Sequence, residues 1–110
     1  MNELKLLENN LLNNPNKLAG MNNLLMKHQF SEEFLIKTRI YYDSWKCIRR
    51  QDNLSPYFCF RYLYDTPDFD SADNWTDYNE IYEYLKKRNY NDNDIEIAYE
   101  KAMNDRNISS

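Results

Sequence analysis

The sequence predicts an all-α protein, a small single-domain antiparallel bundle of about five helices, and three observations support this prediction. Apolar residues recur at the three- and four-residue spacing of helices along most of the chain. Residues that favour helix starts precede several of these segments. Gly20 is the one glycine, whereas hairpin-rich β folds and phosphate-binding loops depend on several. The length of 110 residues leaves room for one core, so residues 1–110 are expected to form one domain.

Two helices are predicted near the N-terminus. Leu4, Leu7 and Leu11 share one helical stripe, which indicates a first helix from about Asn2 to Leu12. The Asn-Asn-Pro sequence that follows should end it, because proline cannot continue a helix. The segment NKLAGMNNLLMKHQ repeats the apolar spacing and predicts a second helix, which its internal glycine weakens.

The third helix has the strongest signals in the chain. Ser31 is a good N-cap residue, and Glu32 and Glu33 occupy the first turn, where the helix dipole favours anions. Apolar and aromatic residues then recur at helical spacing, which predicts one continuous helix to about Arg49. The residues on this stripe are Phe34, Thr38, Tyr41, Trp45 and Ile48.

A short fourth helix is predicted from Pro56 to Tyr64. Ser55 can cap it, and proline is favoured at a first helical position. The aromatic run YFCFRYLY is also compatible with a buried strand. A strand needs a partner, and no second stretch of this kind lies nearby, so we favour the helix.

Two further helices are predicted in the C-terminal third. Thr76 can cap a fifth helix, which the basic residues 86–88 close at its C-terminal end. A last helix is predicted from about Asn93 to Met103, and residues 105–110 are expected to fray. The helices that begin at Ser31 and Thr76 are expected at the centre of the bundle.

Acidic residues are concentrated in one part of the chain. The formal net charge is -4, and residues 62–85 hold seven Asp or Glu and no Lys or Arg. A charge run is usually a solvated loop. Here aromatic residues are interleaved with the acids, a pattern typical of an interface hot spot, which predicts a surface for a basic protein partner. The predicted partner-binding residues are Asp65, Asp68, Asp70, Asp73, Trp75, Asp77, Tyr78 and Glu80.

Other chemistries fit the sequence poorly. A calcium loop beginning at Asp68 would have Asn79 where a bidentate Glu is required. A zinc site would have to combine His28, the one histidine, with two cysteines at unsuitable spacing. The chain is also too small to build a sugar cleft around paired carboxylates. We therefore expect no metal, no cofactor and no catalytic residue.

Two further alternatives involve cysteine and nucleic acid. A nucleophile formed by Cys47 or Cys59 with His28 would make the protein a small hydrolase, but neither thiol lies in an activating sequence context. The FRYLY segment could stack single-stranded bases. The net negative charge opposes nucleic-acid binding, so core packing is the favoured interpretation and no direct nucleic-acid contact is expected.

The expected location is the cytoplasm. Two cysteines are too few for a secreted disulfide scaffold, and both lie in apolar segments, so both thiols are expected to be reduced. The sequence contains neither a leader of signal-peptide type nor an apolar run of bilayer-spanning length. No membrane partner is expected, and a monomer is favoured.

The order of several motifs resembles the family of the colicin D immunity protein, which includes immunity proteins of contact-dependent inhibition systems. The motifs are FSEEF (30–34), DNLSP (52–56) and DTPDFD (65–70), and the resemblance covers roughly residues 25–90. It implies a small antiparallel helical bundle that blocks the active site of a tRNA-cleaving toxin, with carboxylates in place of substrate phosphates. The matching acids are Asp65, Asp68 and Asp70, and residues 1–24 would be an extension.

The leading functional hypothesis is therefore an immunity protein that neutralises a cognate, basic ribonuclease toxin domain. The alternative is a mobile-element protein that mimics DNA and inhibits a restriction or CRISPR nuclease. Both hypotheses need an acidic face, and the sequence does not separate them.

Overall fold

The computed structural model describes residues 3–64 and 76–109, and this part of the chain is all-α with no strand, which confirms the predicted fold class. Short 3₁₀ turns lie at Pro15–Gly20 and Arg39–Tyr41, and a π-helical turn, Cys59–Leu63, continues α5. The α-helices are α1 (Glu3–Leu12), α2 (Met21–Lys27), α3 (Glu32–Lys37), α4 (Ser44–Arg50), α5 (Pro56–Phe58), α6 (Tyr78–Lys87) and α7 (Asp92–Ser109).

The prediction of one continuous helix from Ser31 to Arg49 is wrong, because α3 ends at Lys37. The hydroxyl of Thr38 donates to the carbonyl of Phe34, 2.9 Å away, and Tyr42 has extended backbone. The hydroxyl of Tyr42 then donates to the carbonyl of Leu35 at 2.7 Å, which holds this turn against α3. β-Branched and aromatic residues are weak helix formers, and local side-chain hydrogen bonds to the backbone accompany the end of the helix despite the helical spacing.

The central position belongs to α5 and its π turn rather than to the helices that follow Ser31 and Thr76. Phe58, Cys59, Phe60 and Leu63 are each at most 1% exposed. The turn packs against α4, and α7 crosses both α5 and the turn. The aromatic run is therefore a helix, as predicted, and its apolar residues form the middle of the core.

The predicted boundaries of the last two helices need correction. Thr76 is fully buried, and the residue that caps α6 is Asp77, whose carboxylate accepts a hydrogen bond from the backbone N–H of Glu80 at 2.8 Å. The last helix, α7, begins at Asp92 and continues to Ser109, through most of the segment predicted to fray. Arg106 stabilises this end by donating hydrogen bonds to the carbonyls of Phe60 and Tyr64.

Residues near the N-terminus belong to the same core as the rest of the chain. Leu11, Met21 and Leu25 are at most 3% exposed and pack with the buried residues of the other helices. The segment that the family resemblance marked as an extension therefore contributes to the core of this domain. None of the helices within residues 3–64 and 76–109 combines the length and apolarity needed to cross a bilayer.

A repeated hydrogen-bonding arrangement joins α1 to α3 and α3 to α5. Glu8 on α1 accepts hydrogen bonds from the backbone N–H and the hydroxyl of Ser31, at 2.7 and 2.9 Å, and Ser31 caps α3 through the N–H of Phe34. Glu32 on α3 binds Ser55 in the same way, and Ser55 caps α5. Each glutamate thus fixes the start of a later helix by holding its N-cap serine.

Candidate functional site

The predicted partner-binding residues fall into two groups. Asp65, Asp68, Asp70, Asp73 and Trp75 lie outside the described residues, so their predicted role stays a prediction. Asp77, Tyr78 and Glu80 are described, and they lie at the start of α6.

The two described acids have structural partners within the chain. Asp77 caps α6, as described above. Glu80 accepts a hydrogen bond from the guanidinium of Arg49 at 3.1 Å, and its side chain is 26% exposed. This ion pair joins α6 to α4. Both carboxylates remain accessible at the N-terminal end of α6, where they add to the negative charge of the acidic stretch before them.

An aromatic cluster brings together two tyrosines that flank the acidic stretch (residues 65–77) in the sequence. Tyr64, the last described residue before it, packs edge-on against Tyr99, with ring centroids 6.0 Å apart. Tyr78, which follows the stretch, packs against the same ring at 5.1 Å and against Phe60 at 5.3 Å. Phe60, Tyr64, Tyr78 and Tyr99 thus form one cluster, which joins the described residues on either side of the acidic stretch.

Tyrosines and carboxylates of α6 and α7 form one continuous surface, which we call the α6–α7 face. It consists of Tyr78, Tyr82, Asp92 and Glu96, and Glu83 lies at its edge, where it also lines a cavity with Arg49 and Arg88. The rings of Tyr78 and Tyr82 are stacked, with centroids 6.4 Å apart and planes 16° from parallel. The hydroxyl of Tyr82 donates to the carboxylate of Asp92 at 2.8 Å. Aromatic rings and negative charge thus lie side by side on this face.

The electrostatics of the α6–α7 face follow from these contacts. The hydrogen bond to Asp92 is the main cause of the raised pKa of Tyr82, and the charge of Glu83 adds to it. Partial burial raises the pKa of Tyr78, and the charge of Glu96 raises it further. The pKa of Asp92 is lowered by the Tyr82 hydroxyl and then by Lys86, 3.2 Å away. Tyr78 and Tyr82 therefore stay neutral and Asp92 stays ionised near neutral pH.

The π turn packs beneath the aromatic cluster that includes Tyr78. Its extra residue per turn is accommodated by a hydrogen bond from the N–H of Tyr64 to the carbonyl of Cys59 at 2.8 Å. The guanidinium of Arg106 satisfies two carbonyls at its end, those of Phe60 and Tyr64. Single π turns occur frequently at functional sites. Here the turn places Phe60 and Tyr64 in the aromatic cluster.

Sequence reasoning missed the contribution of α7 to this surface. Asp92, Glu96 and Tyr99 recur at positions i, i+4 and i+7, and Tyr78 and Tyr82 are four residues apart on α6. Residues at this spacing share one helix face. The spacing was therefore present in the sequence, but which face of α6 meets which face of α7 is set by the tertiary packing.

The cysteines and the histidine do not form a reactive site. Cys47 and Cys59 are free and fully buried, whereas His28 is exposed. Burial raises the pKa of Cys47 to about 12 and that of Cys59 well above its usual range. A nucleophilic cysteine needs the opposite shift, so this geometry disfavours the hydrolase hypothesis. Across residues 3–64 and 76–109, no three His, Cys, Asp or Glu side chains converge as metal ligands.

Comparison of the chain with models of known protein families, with curated protein sequences and with solved structures finds no match.

Proposed function

We propose that this protein is an immunity protein that binds and blocks a cognate tRNA-cleaving ribonuclease toxin through its acidic surface. The binding surface combines the acidic stretch, residues 65–77, with the α6–α7 face. Carboxylates of this surface occupy the positions of substrate phosphates in the basic active-site cleft of the toxin. The inhibitor itself performs no chemistry.

One observation supports this proposal most directly: stacked tyrosines lie among carboxylates on the α6–α7 face. Tyr78 and Tyr82 offer flat aromatic area at little cost in side-chain entropy, which suits interface anchors. Glu83 and Glu96 are exposed and able to pair with a basic partner. Negative charge of this kind steers a basic partner to the surface and raises the association rate.

The test is binding to a candidate ribonuclease domain encoded beside this gene, together with inhibition of its tRNA cleavage. The double variant Glu83→Lys/Glu96→Lys reverses two exposed charges on the α6–α7 face. We expect association at low salt to slow by about tenfold, because electrostatic steering is lost. Tyr82→Ala should instead speed dissociation by about tenfold, as expected of an anchor.

Glu3→Lys/Glu33→Lys is the matched control for charge, because both side chains are exposed, on α1 and α3, and lie outside the α6–α7 face. It should change the association rate by less than about twofold. Equal slowing by the control and the double variant would contradict a localised binding surface. Inhibition of a restriction or CRISPR nuclease, without inhibition of the ribonuclease, would replace this proposal with the DNA-mimic alternative.

The acidic stretch is tested separately. Charge reversal by Asp68→Lys together with Asp70→Lys should slow association with the toxin and flatten its dependence on salt. Trp75→Ala should speed dissociation, at a cost of about 2 kcal/mol in binding free energy if Trp75 is a hot spot. An unchanged association rate after reversal of both aspartates would show that the stretch is a solvated loop.

A further inference from the structure

A positively charged groove, opposite in sign to the α6–α7 face, lies between α2 and α4. It has a cavity volume of about 290 Å³, and its lining includes Asn23, Met26, Trp45, Lys46, Arg49 and Arg50. The Met26 side chain is 59% exposed, and Trp45 is half-buried. The groove therefore combines an apolar surface with three cationic side chains.

The cations are arranged around the indole ring. The ammonium of Lys46 lies 5.2 Å from the ring centroid of Trp45, and the guanidinium of Arg49 lies 5.0 Å from it. Cation–π contacts of this length hold long basic side chains against the ring. Trp45 thus keeps positive charge close to the apolar part of the groove.

Two of the three cations have no carboxylate partner within the described chain. Arg49 is paired with Glu80 at 3.1 Å, whereas Lys46 and Arg50 form no ion pair with any residue in 3–64 or 76–109. The groove therefore carries net positive charge on a protein whose overall formal charge is -4. Charge complementarity favours an anionic occupant.

The composition of the groove favours a protein segment over a nucleic acid. Trp, Met and Arg are the residue types enriched in the centres of protein–protein interfaces. Nucleic-acid binding typically neutralises about six to ten phosphates. Two unpaired cations on a negatively charged chain are too few for such a strand, but they suffice to pair with two carboxylates.

We propose that the α2–α4 groove binds an acidic peptide segment of a partner protein. Carboxylates of the segment pair with Lys46 and Arg50, and an apolar side chain between them packs against Trp45 and Met26. This site is separate from the α6–α7 face, and it would be a second binding surface, with the opposite charge preference.

Arg49 links the groove to α6, because the same guanidinium contacts Trp45 and Glu80. A bound carboxylate competes with Glu80 for this cation. Glu80→Gln removes the competitor, and we expect it to strengthen binding of an acidic peptide by about twofold or more.

The test uses fluorescence of Trp45 in the Trp75→Phe protein, where it is the one remaining tryptophan. The probe is a synthetic octapeptide, Glu-Asp-Phe-Asp-Glu-Leu-Asp-Glu. We expect saturable binding that weakens with salt. The double variant Lys46→Gln/Arg50→Gln should weaken it about tenfold, and both side chains are accessible enough to be replaced without unfolding the protein.

Three results would overturn the proposal. The first is absence of a saturable signal with the peptide at millimolar concentration. The second is equal affinity for the same peptide with its Phe and Leu replaced by Ala, since the apolar contact with Trp45 would then be absent. The third is tighter binding of an octathymidylate than of the peptide, which would make the groove a nucleic-acid site.

Discussion

Gln51 shows how one buried side chain can hold several segments together. It is 1% exposed, and its amide donates to the carbonyls of Leu25 and His28, at 3.0 and 2.8 Å. Its side-chain carbonyl accepts a hydrogen bond from the backbone N–H of Phe30 at 2.8 Å. One glutamine thus binds three backbone groups, which lie at the end of α2 and just before α3.

Gln51→Leu should destabilise the fold by about 3 kcal/mol, because three backbone groups lose their partners and two of these bonds are buried. Gln29→Leu is the matched control. Gln29 also bonds two backbone groups, the carbonyl of Arg50 and the N–H of Asp52, but these are exposed and water can replace the glutamine. We expect it to cost less than about 1 kcal/mol. Urea denaturation measures both changes, and equal costs would refute this account.

At the scale of elements, the glutamate–serine pairs make the start of one helix depend on another. Glu8 is only 8% exposed, and both its oxygens accept hydrogen bonds from Ser31. Glu8→Gln should lower the free energy of unfolding by about 1–2 kcal/mol, because the amide NH₂ of the new side chain then faces a hydrogen-bond donor of Ser31. Glu33→Gln is the control, since this exposed side chain pairs only with Lys37 on the surface. It should cost less than about 0.5 kcal/mol. Thermal unfolding of both variants gives the comparison.

Helix starts were predictable where a local capping residue decides them. Ser31 and Ser55 cap α3 and α5 as predicted from their type and position. Apolar spacing and capping residues failed where a side-chain contact elsewhere in the fold decides the backbone. The hydrogen bond from Tyr42 to Leu35 ends the helical path, and Arg106 extends α7 by binding carbonyls more than forty residues earlier in the chain. Neither contact can be recognised from the spacing of apolar residues in the sequence.

The candidate site was predictable in part. Acids interleaved with aromatics identified Tyr78 and its acidic surroundings as a surface of interest. The pairing of α6 with α7, which adds Asp92 and Glu96, depends on the short connection between them. That connection is closed by Asn89 in the left-handed conformation, with φ of 70°. Asn tolerates this region, but one such residue does not reveal which helix faces meet.

At the scale of the whole molecule, the buried thiols and tyrosines make stability sensitive to alkaline pH. Burial raises the pKa of Cys47 to about 12 and that of Tyr84 to about 12, and it also raises those of Cys59 and Tyr42. The folded state therefore keeps these protons longer than the unfolded state. The resulting stabilisation is complete below the unfolded thiol pKa of about 8.5 and is lost as pH rises toward the folded values.

We therefore expect the contribution of the thiols to the free energy of unfolding to be constant near pH 7–8. Above about pH 8.5 the free energy of unfolding should fall. Each buried thiol should contribute a slope of about 1.4 kcal/mol per pH unit. Cys47→Ala should remove nearly half of the slope between pH 8.5 and 9, where the tyrosines contribute little because their unfolded pKa is about 10. Urea denaturation at several pH values under reducing conditions tests this, and an unchanged slope in the variant would refute it.

The contact between Arg106 and the π turn also has a consequence for synthesis of the protein on the ribosome. Arg106 follows Tyr64 by 42 residues, yet it closes the carbonyls at the end of the most buried segment of the chain. At typical translation rates, roughly two to eight seconds separate the appearance of these two residues. During that interval Phe58, Phe60 and Leu63 lack the helix that covers them. The nascent chain is therefore exposed to chaperones and proteases at its future core until α7 has emerged.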